Sequence, residues 1–433
     1  EQAKDENLPL LERLRFLCIA STNLDEFFEI RVAGLKQQVK YGSTQTGPDN
    51  LSPTEVLTRV SETAHQFVEE QYSVWNDLII PAMAKDNIRL LRRSQWKSQT
   101  SRWIHRYFKD EVLPVLSPIG LDPAHPFPKV QNKNLYFIIS LDGKDAFGRD
   151  SGLAIVQAPR SLPRVIPVPA KYSDGNHDFV MLSSIIHAHV SDLFPGMSVL
   201  GCYQFKVTRD SDLFIDDEEI DDLLRALEGE LPSRRFSDAV RLEVADNCPD
   251  NLSLFLLQKF GLKQNDLYQV NGPVNLSRLL AICDLVDRSE LKFAGFTPDI
   301  PKRLQKNSNI FDALHNGDIL LHHPFQSFAP VIDFLRQAAA DPNVLSIKQT
   351  LYRTGVDSAV VEILKGAARA GKEVTVVIEL RARFDEEANI ELASELQQAG
   401  AHVVYGVVNF KTHAKMILVV RREGRTLRRY VHL

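Results

Sequence analysis

Residues 343–351 read NVLSIKQTL, residues 372–380 read KEVTVVIEL and residues 401–407 read AHVVYGV. Between these β-rich runs lie DSAVVEILKGAARAG (357–371) and DEEANIELASELQQAG (385–400), whose apolar residues recur at helical spacing. A further apolar run, AKMILVVRR (414–422), follows the third of them. Strands that alternate with helices in this way predict a βαβαβ unit with a parallel sheet.

The residues that follow each predicted strand are basic. They are Arg353 after the first strand, Arg381 and Arg383 after the second, and Lys411 and Lys415 after the third. Ligands of open parallel sheets bind outside the carboxyl ends of the strands, and arginine suits bidentate contact with phosphate. We therefore expect these side chains to converge around His413 and to form a pocket for several phosphates. The competing interpretation is that some of them only pair with the acidic helix start at 385–387.

His413 is the candidate nucleophile. It stands two residues before Lys415, directly ahead of an apolar strand, so strand alternation predicts both side chains on one face. A neutral imidazole nitrogen can attack phosphorus, and a neighbouring ammonium can neutralise charge on the phosphoryl oxygens. A lone histidine beside a strand is usually structural, but the lysine and the basic loops favour the nucleophile here. A hairpin turned at residues 422–425 would bring His432 beside His413.

Two other motifs are weaker candidates for a functional site. Residues 366–372 match G-x-x-x-x-G-K, but the run closes a helix, whereas a phosphate-binding loop follows a strand and opens a helix. Gly371 is better interpreted as the end of that helix. His322 and His323 precede Pro324, and adjacent residues of an extended segment point apart, so a structural or capping role is favoured over metal binding.

The rest of the chain predicts two further domains. Residues 1–84 are helical by their apolar spacing, with a capping box at Ser52 and Glu55 and an N-cap at Asn23. Residues 85–299 mix short β-rich runs with helical runs and predict an α+β domain. Residues 300–433 hold the βαβ unit. The predicted fold class is therefore multidomain, α/β and α+β.

The composition of the chain excludes several classes of function. The chain has 433 residues, and at roughly 150 residues per domain it holds about three domains. A net charge of -5 gives no overall basic field, so we expect no nucleic-acid partner and only a local polyanion site. Four dispersed cysteines without a C-x-x-C pair argue against a zinc ribbon or a disulfide framework. No apolar run is long enough to span a bilayer, so we expect a cytoplasmic protein.

Several of these segments resemble polyphosphate kinases of the first family, bacterial enzymes with phospholipase-D-like catalytic domains. The resemblance extends over nearly the whole chain. Its most specific parts are FLCIASTNLDEFFEIRVAGL (16–35), DILLHHPFQSF (318–328), SIKQTLYRTG (346–355), ELRARFDEEANI (379–390) and NFKTHAKMILVVRR (409–422). The fold it implies is an N-terminal helical domain, a head domain used in dimerisation, and two phospholipase-D-like domains.

By motif, His413 resembles the histidine that becomes phosphorylated, and His432 matches a second histidine that is important there. Arg353 and Arg383 resemble residues at the magnesium and phosphate site, and Asn23 resembles an adenine-nucleotide contact. A helix cap at Asn23 is compatible with that role, since free amides at a helix N-terminus can bind phosphate. The resemblance implies ATP and ADP as substrates, Mg²⁺ as cofactor, inorganic polyphosphate as partner and a homo-oligomer. It leaves open a peripheral association with the membrane.

The chain departs from the wider phospholipase-D pattern, because no aspartate stands four residues after Lys415. It also ends where the family's first phospholipase-D-like domain continues, so we expect a truncated chain that lacks the last catalytic domain and has impaired or no activity by itself. Two alternatives to a kinase remain. One is a phosphodiesterase that acts on lipid or nucleic acid through the same histidine, and the other is a non-catalytic fragment that binds nucleotide or polyphosphate.

Overall fold

The structure of the protein is a computed structural model. It describes residues 1–43, 45–47, 49–122, 125–144, 152–173, 177–211, 236–305, 309–353, 358–380, 382, 385–406 and 411–433. Within these ranges, the residues up to 294 form one compact unit and those from 295 onwards form a second. The architecture is mixed α/β and α+β, with a helical N-terminal region, as the sequence predicts.

Two long helical stretches begin the first unit. One consists of α1 (Leu10–Phe27), a π-helical turn (Phe28–Val32) and α2 (Ala33–Lys40), and the other of α3 (Pro53–Ser73), a π-helical turn (Val74–Ile79) and α4 (Ile80–Lys85). The predicted capping box at the start of α3 is confirmed. The Ser52 hydroxyl accepts from the Glu55 amide, and the Glu55 carboxylate accepts from the Ser52 amide at 2.8 Å.

Asn23 does not begin a helix. α1 runs without a break from Leu10 to Phe27 and passes through Asn23. Its buried apolar side, with Leu14, Leu17 and Cys18, holds the preceding turns against the core, and this packing outweighs the local capping signal. The predicted N-cap at Asn23 is therefore wrong, and no free helix amides lie there to bind phosphate.

The remainder of the first unit is α+β. Its strands are β1 (Ile88–Leu90), β2 (Pro118–Leu121), β3 (Leu135–Asp142), β4 (Leu153–Gln157), β5 (Val165–Pro167), β6 (His177–Met181), β7 (Ser198–Arg209), β8 (Ala239–Ala245) and β9 (Leu267–Val270). Its helices are α5 (Ser98–Tyr107), α6 (Leu182–Ala188), α7 (Asp250–Phe260) and α8 (Leu280–Leu285). The strands form a three-stranded sheet in the order β1-β6-β5 and a six-stranded sheet in the order β2-β4-β3-β7-β8-β9.

A buried ion cluster joins α1 to the six-stranded sheet. Nζ of Lys206 lies 3.0 Å from Asp25 and 3.1 Å from Glu243, while Arg241 lies 3.3 Å from Asp25 and 2.9 Å from Glu243. Two cations and two carboxylates alternate, so each buried charge has an opposite neighbour, which burial requires. The N-terminal helices and the sheets therefore share one interior. The division into domains at residues 84 and 299 stays a prediction.

The second unit contains the predicted βαβαβ unit. Its helices are α9 (Lys302–Gln305), α10 (Ile310–His315), α11 (Ala329–Ala340), α12 (Ala359–Arg369) and α13 (Glu386–Gln398), and its strands are β10 (Val344–Leu351), β11 (Glu373–Ile378), β12 (His402–Tyr405), β13 (Ile417–Glu423) and β14 (Thr426–His432). The strand order is β12-β11-β10-β13-β14. β10, β11 and β12 are parallel, and β13 runs antiparallel to β10.

Two glycines act where the sequence predicts. Gly371 follows α12 with φ +83°, a conformation that glycine adopts without strain, and so ends that helix. Gly424, with φ +59°, begins the two-residue turn between β13 and β14, in which Glu423 pairs with Thr426. The predicted hairpin is confirmed.

All four cysteines belong to the described residues and are buried and free of disulfides. Among the helices described here, none has both the length and the apolar character that crossing a bilayer requires.

Candidate active site

The candidate site lies at one edge of the five-stranded sheet. Tyr352 directly follows β10 and Glu379 directly follows β11, so both stand at the carboxyl ends of two paired parallel strands. Open parallel sheets bind ligands at this edge.

The ring of Tyr352 is the centre of the site. The His413 ring meets it edge to face, with centroids 4.8 Å apart and planes at 75°. Nζ of Lys415 lies 4.6 Å from the Tyr352 centroid, and Nζ of Lys411 and Cζ of Arg353 each lie 5.5 Å from it. The negative π face of an aromatic ring attracts cations at these distances. The structure therefore brings together four of the predicted site residues.

His413 and Lys415 lie in the loop of residues 411–416 that precedes β13. The backbone N–H of His413 donates to the carbonyl of Lys411 at 3.0 Å, and Nζ of Lys415 donates to the carbonyl of His413 at 2.7 Å. The expected strand alternation is wrong here, because β13 begins only at Ile417. Both side chains nevertheless contact Tyr352, and His413 is exposed, so its imidazole is open to a phosphoryl donor.

Thr350 fixes one side of this loop. Its hydroxyl donates to the carbonyl of Ala414 at 2.6 Å and accepts from the backbone N–H of Met416 at 2.9 Å. One side chain of β10 thereby binds the residues on both sides of Lys415.

Glu379 and Asn389 fix the other side. The backbone N–H of Thr412 donates to Oε2 of Glu379 at 2.7 Å, and a hydrogen bond to a charged acceptor is stronger than a neutral one. The side-chain amide of Asn389, in α13, donates to the carbonyls of Tyr352 at 3.0 Å and of Glu379 at 2.9 Å. Because Glu379 and Asn389 are both buried, these bonds join the two strand ends and the loop through groups that water does not reach.

Arg353 also forms an ion pair with Asp385, with 2.6 Å between Nε and Oδ2. This is the pairing that the competing interpretation of the basic loops expects, but Arg353 also contacts the Tyr352 ring. Both side chains of the ion pair are largely exposed, and an exposed pair contributes at most about 1 kcal/mol, so an incoming phosphate can compete for the guanidinium. Arg381 and Arg383 lie outside the described residues, and their place in the site stays a prediction.

His432 does not lie beside His413. The turn of the hairpin sets a register in which His432 pairs with Ile417, and the position opposite His413 falls beyond His432. The His432 ring instead lies 6.2 Å from that of Phe328. Burial, and then the charge of His323, lower the pKa of His432. The predicted adjacency is wrong because the turn fixes the pairing, while a catalytic role of His432 stays a prediction.

Asn23 belongs to the first unit and lines a shallow cavity of about 530 Å³ between α1 and α3. The walls are mostly apolar, with Phe27 and Phe67, and the polar groups are Asn23, Arg59 and Thr63. A flat apolar ring with hydrogen-bonding edges, such as a nucleotide base, suits a cavity of this kind.

His322 and His323 take part in local hydrogen bonds with Gln326, and their structural role stays a prediction. The carbonyl of Gln326 accepts from Nδ1 of His323 at 2.8 Å, and the side chain of Gln326 accepts from the backbone N–H of His322 at 2.8 Å. Nowhere in the described ranges do three or more histidine, cysteine, aspartate or glutamate side chains cluster as metal ligands do.

Sequence reasoning misses Tyr352, Glu379 and Asn389 as site residues. Tyr352 and Glu379 stand at the ends of predicted strands, which is the signal that could have found them. Asn389 carries no such signal, because its two bonds cross from a helix to separate strand ends that only the folded sheet brings together.

Three family models match consecutive parts of the chain. They are the polyphosphate kinase N-terminal domain at residues 1–91, the polyphosphate kinase middle domain at residues 99–282 and the polyphosphate kinase C-terminal domain 1 at residues 309–433. Together they span most of the sequence, including the His413 loop.

Curated relatives and a solved structure agree with this match. The chain is 59% identical over its whole length to a polyphosphate kinase of Pseudomonas aeruginosa, of which it covers 63%, and 55% identical to one of Neisseria gonorrhoeae, of which it also covers 63%. The crystal structure of polyphosphate kinase from Porphyromonas gingivalis superposes with a TM-score of 0.79 at 26% identity, over 97% of this chain and 59% of that one. The chain therefore spans about three fifths of the length of these relatives.

Proposed function

The chain belongs to the polyphosphate kinase family, and on this premise we propose that the intact protein transfers the terminal phosphoryl group of ATP reversibly to inorganic polyphosphate through phospho-His413. The observation that carries the proposal is the cluster around Tyr352. There an exposed imidazole and three cationic side chains meet at the binding edge of a parallel sheet.

The proposed reaction takes two displacements. In the first, a ring nitrogen of His413 attacks the γ-phosphorus of ATP, the N–P bond forms, and the bond from phosphorus to the bridging oxygen breaks, so that ADP leaves with that oxygen. In the second, a terminal oxygen of polyphosphate attacks the same phosphorus, and the N–P bond breaks. Two polyanions repel each other, and the covalent intermediate allows one to leave before the other reacts.

The cations would act on the phosphoryl oxygens. Lys415 donates to the carbonyl of His413, so its ammonium lies next to the nucleophile. Lys411 and Arg353 would neutralise charge on the adjoining phosphates, and guanidinium groups bind such oxygens in bidentate fashion. We propose that Arg381 and Arg383 complete this set.

The described side chains do not fit a magnesium ion held by the protein. Mg²⁺ prefers oxygen ligands, a guanidinium offers none, and no cluster of potential metal ligands occurs in the described ranges. Arg353 and Arg383 are therefore proposed as phosphate ligands, and Mg²⁺ as an ion that the nucleotide carries; no step is assigned to it here.

Binding of the nucleotide base is proposed for the cavity at Asn23. The carboxamide of Asn23 offers both a donor and an acceptor, and Phe27 and Phe67 offer apolar surface for a planar ring. We further propose a homo-oligomer, dimer or tetramer, in the cytoplasm, with peripheral membrane association as an additional property.

An assay with two substrates tests the proposal. The intact protein is incubated with ATP and, separately, with a generic phosphodiester. The proposal predicts ADP and polyphosphate from ATP and no hydrolysis of the diester. Hydrolysis of the diester with ATP left intact would replace the kinase by a phosphodiesterase.

A further inference from the structure

A basic segment of the first unit has no part in the function proposed above. Residues 87–109, NIRLLRRSQWKSQTSRWIHRYFK, contain no acidic residue although the chain as a whole carries a net charge of -5. The seven lysines and arginines in it are Arg89, Arg92, Arg93, Lys97, Arg102, Arg106 and Lys109. Such a run sets a positive local field against the acidic average of the protein.

The fold turns most of this charge towards solvent. In α5 and the turn that follows, Ile104 and Phe108 are fully buried, while Arg102, Arg106 and Lys109 are exposed. The spacing of three and four residues places these three cations along one side of the helix.

A groove of about 650 Å³ lies along this side. Its lining consists of Ser101, Arg102, His105, Arg106, Lys109 and His189. The ring of His189 is stacked on Phe108 with centroids 4.8 Å apart. Its Nδ1 donates to the carbonyl of Ile185 at 3.0 Å. The groove thus combines guanidinium, ammonium, imidazole and hydroxyl groups.

Carboxylates lie at one end of this groove, where Asp110 and Glu111 follow Lys109 in the same turn. Asp192 lies 2.9 Å from Lys109, and Asp178 binds Arg89 at 2.7 Å. In the part of the chain that the structure describes, Arg102 and Arg106 take part in no ion pair. Their charge is therefore available to an anionic ligand.

Burial is the main cause that lowers the pKa of His189 in the wall of the groove. The charges of His105 and Arg93 lower this pKa further, while the bond to the Ile185 carbonyl and the charge of Asp192 raise it. The positive charge that the groove offers to a ligand therefore comes from Arg102, Arg106 and Lys109.

We propose that this groove is a second binding surface for inorganic polyphosphate. It would hold the polyphosphate chain by contacts separate from those of the His413 loop. The inference rests on the proposed function, since polyphosphate is the polyanion that the proposed reaction lengthens. A flexible chain of phosphates gains affinity from each neutralised charge through release of its counterions, without any need for a fixed shape.

The test uses binding of long-chain polyphosphate and of tripolyphosphate to the protein and to the double variant Arg102→Gln/Arg106→Gln. We expect the dissociation constant for the long chain to rise roughly tenfold and the salt slope of binding to fall by about 1.4, because two phosphate contacts are lost. Binding of tripolyphosphate should weaken less, because a short anion neutralises fewer charges and releases fewer counterions. The matched control is Lys259→Gln/Lys263→Gln, which removes two exposed charges from the same unit and should bind both ligands as the parent does.

Unchanged affinity of the Arg102/Arg106 variant for the long chain would overturn the inference, as would an equal loss in the control. Loss of binding to phosphatidylglycerol vesicles, with polyphosphate binding retained, would instead identify a membrane contact. Circular dichroism of both variants checks that they fold. Failure of the proposed function would show differently, as absence of ATP turnover in the parent protein.

Discussion

The rings of Tyr352 and His413 meet edge to face, with 4.8 Å between centroids. This contact with a neighbouring aromatic ring restricts the orientation of the His413 imidazole. The Tyr352 ring lies 4.6 Å from the ammonium of Lys415, and one side chain therefore places both the nucleophile and its neighbouring charge.

Loss of the Tyr352 ring should slow the phosphorylation of His413. Tyr352→Leu removes the ring, and with it an aromatic pair and cation contacts that together contribute about 1–3 kcal/mol, so we expect phosphorylation of His413 to slow by roughly 10- to 100-fold. Tyr352→Phe keeps the ring and should react at nearly the parent rate. Label incorporation from γ-labelled ATP measures both. A Phe variant as slow as the Leu variant would show that the hydroxyl, not the ring, matters.

Glu379 offers a second test. Glu379→Ala leaves the backbone N–H of Thr412 without its acceptor, and a lost buried hydrogen bond costs about 1–3 kcal/mol. Hydrogen exchange of the peptide that spans residues 411–416, followed by mass spectrometry, should accelerate roughly tenfold or more. Glu379→Gln retains an acceptor oxygen and should exchange more slowly than the Ala variant. Equal protection in the parent and the Ala variant would contradict the assigned role.

Loss of the side-chain N–H donors of Asn389 should destabilise the second unit. Asn389→Asp keeps the shape but sets a carboxylate against the carbonyls of Tyr352 and Glu379, so we expect a loss of about 2–4 kcal/mol in the free energy of unfolding of the second unit. Gln398→Ala, on the exposed side of the same helix, should change it by less than about 0.5 kcal/mol. Urea denaturation measures both. An Asp variant as stable as the Gln398 control would show that Asn389 does not hold the two strand ends together.

Acid should weaken the first unit through its ion cluster. Burial alone would raise the pKa of Glu243, but the charges of Lys206 and Arg241 outweigh it and hold this pKa well below the ordinary value of 4.5. A lowered pKa means that the folded state favours the charged form, so this stabilisation is present above pH 4.5 and is lost as the pH falls below it. Thermal melts should show a falling Tm there, with a smaller decrease in Glu243→Gln. An equal decrease in both would exclude this carboxylate as the cause.

The alternation of apolar strands and helices after residue 343 was enough to predict the parallel sheet, because both periods are local properties of the chain. The order of the strands was also enough to predict that the basic residues after them lie at one edge of the sheet, because the carboxyl ends of parallel strands meet there. Two predictions were wrong for different reasons, namely the helix N-cap at Asn23 and the position of His432 beside His413. The capping signal at Asn23 was outweighed by the packing of α1, and the register of His432 depended on the turn at Gly424.

Tyr352, Glu379 and Asn389 could not be predicted as a group. Their roles come from contacts between residues up to 61 positions apart, such as Tyr352 with His413, and such contacts exist only once the sheet has formed. Local patterns identify which residues can do chemistry, whereas the residues that hold them in place are found from packing.

The most direct test of the account is the site of covalent phosphorylation. The intact protein is incubated with γ-labelled ATP, and the retained label is tested for the acid lability and base stability of a phosphohistidine. We expect such a label in the parent and in His402→Ala, a surface control in β12, and none in His413→Ala. An acid-labile label that persists in His413→Ala would contradict it.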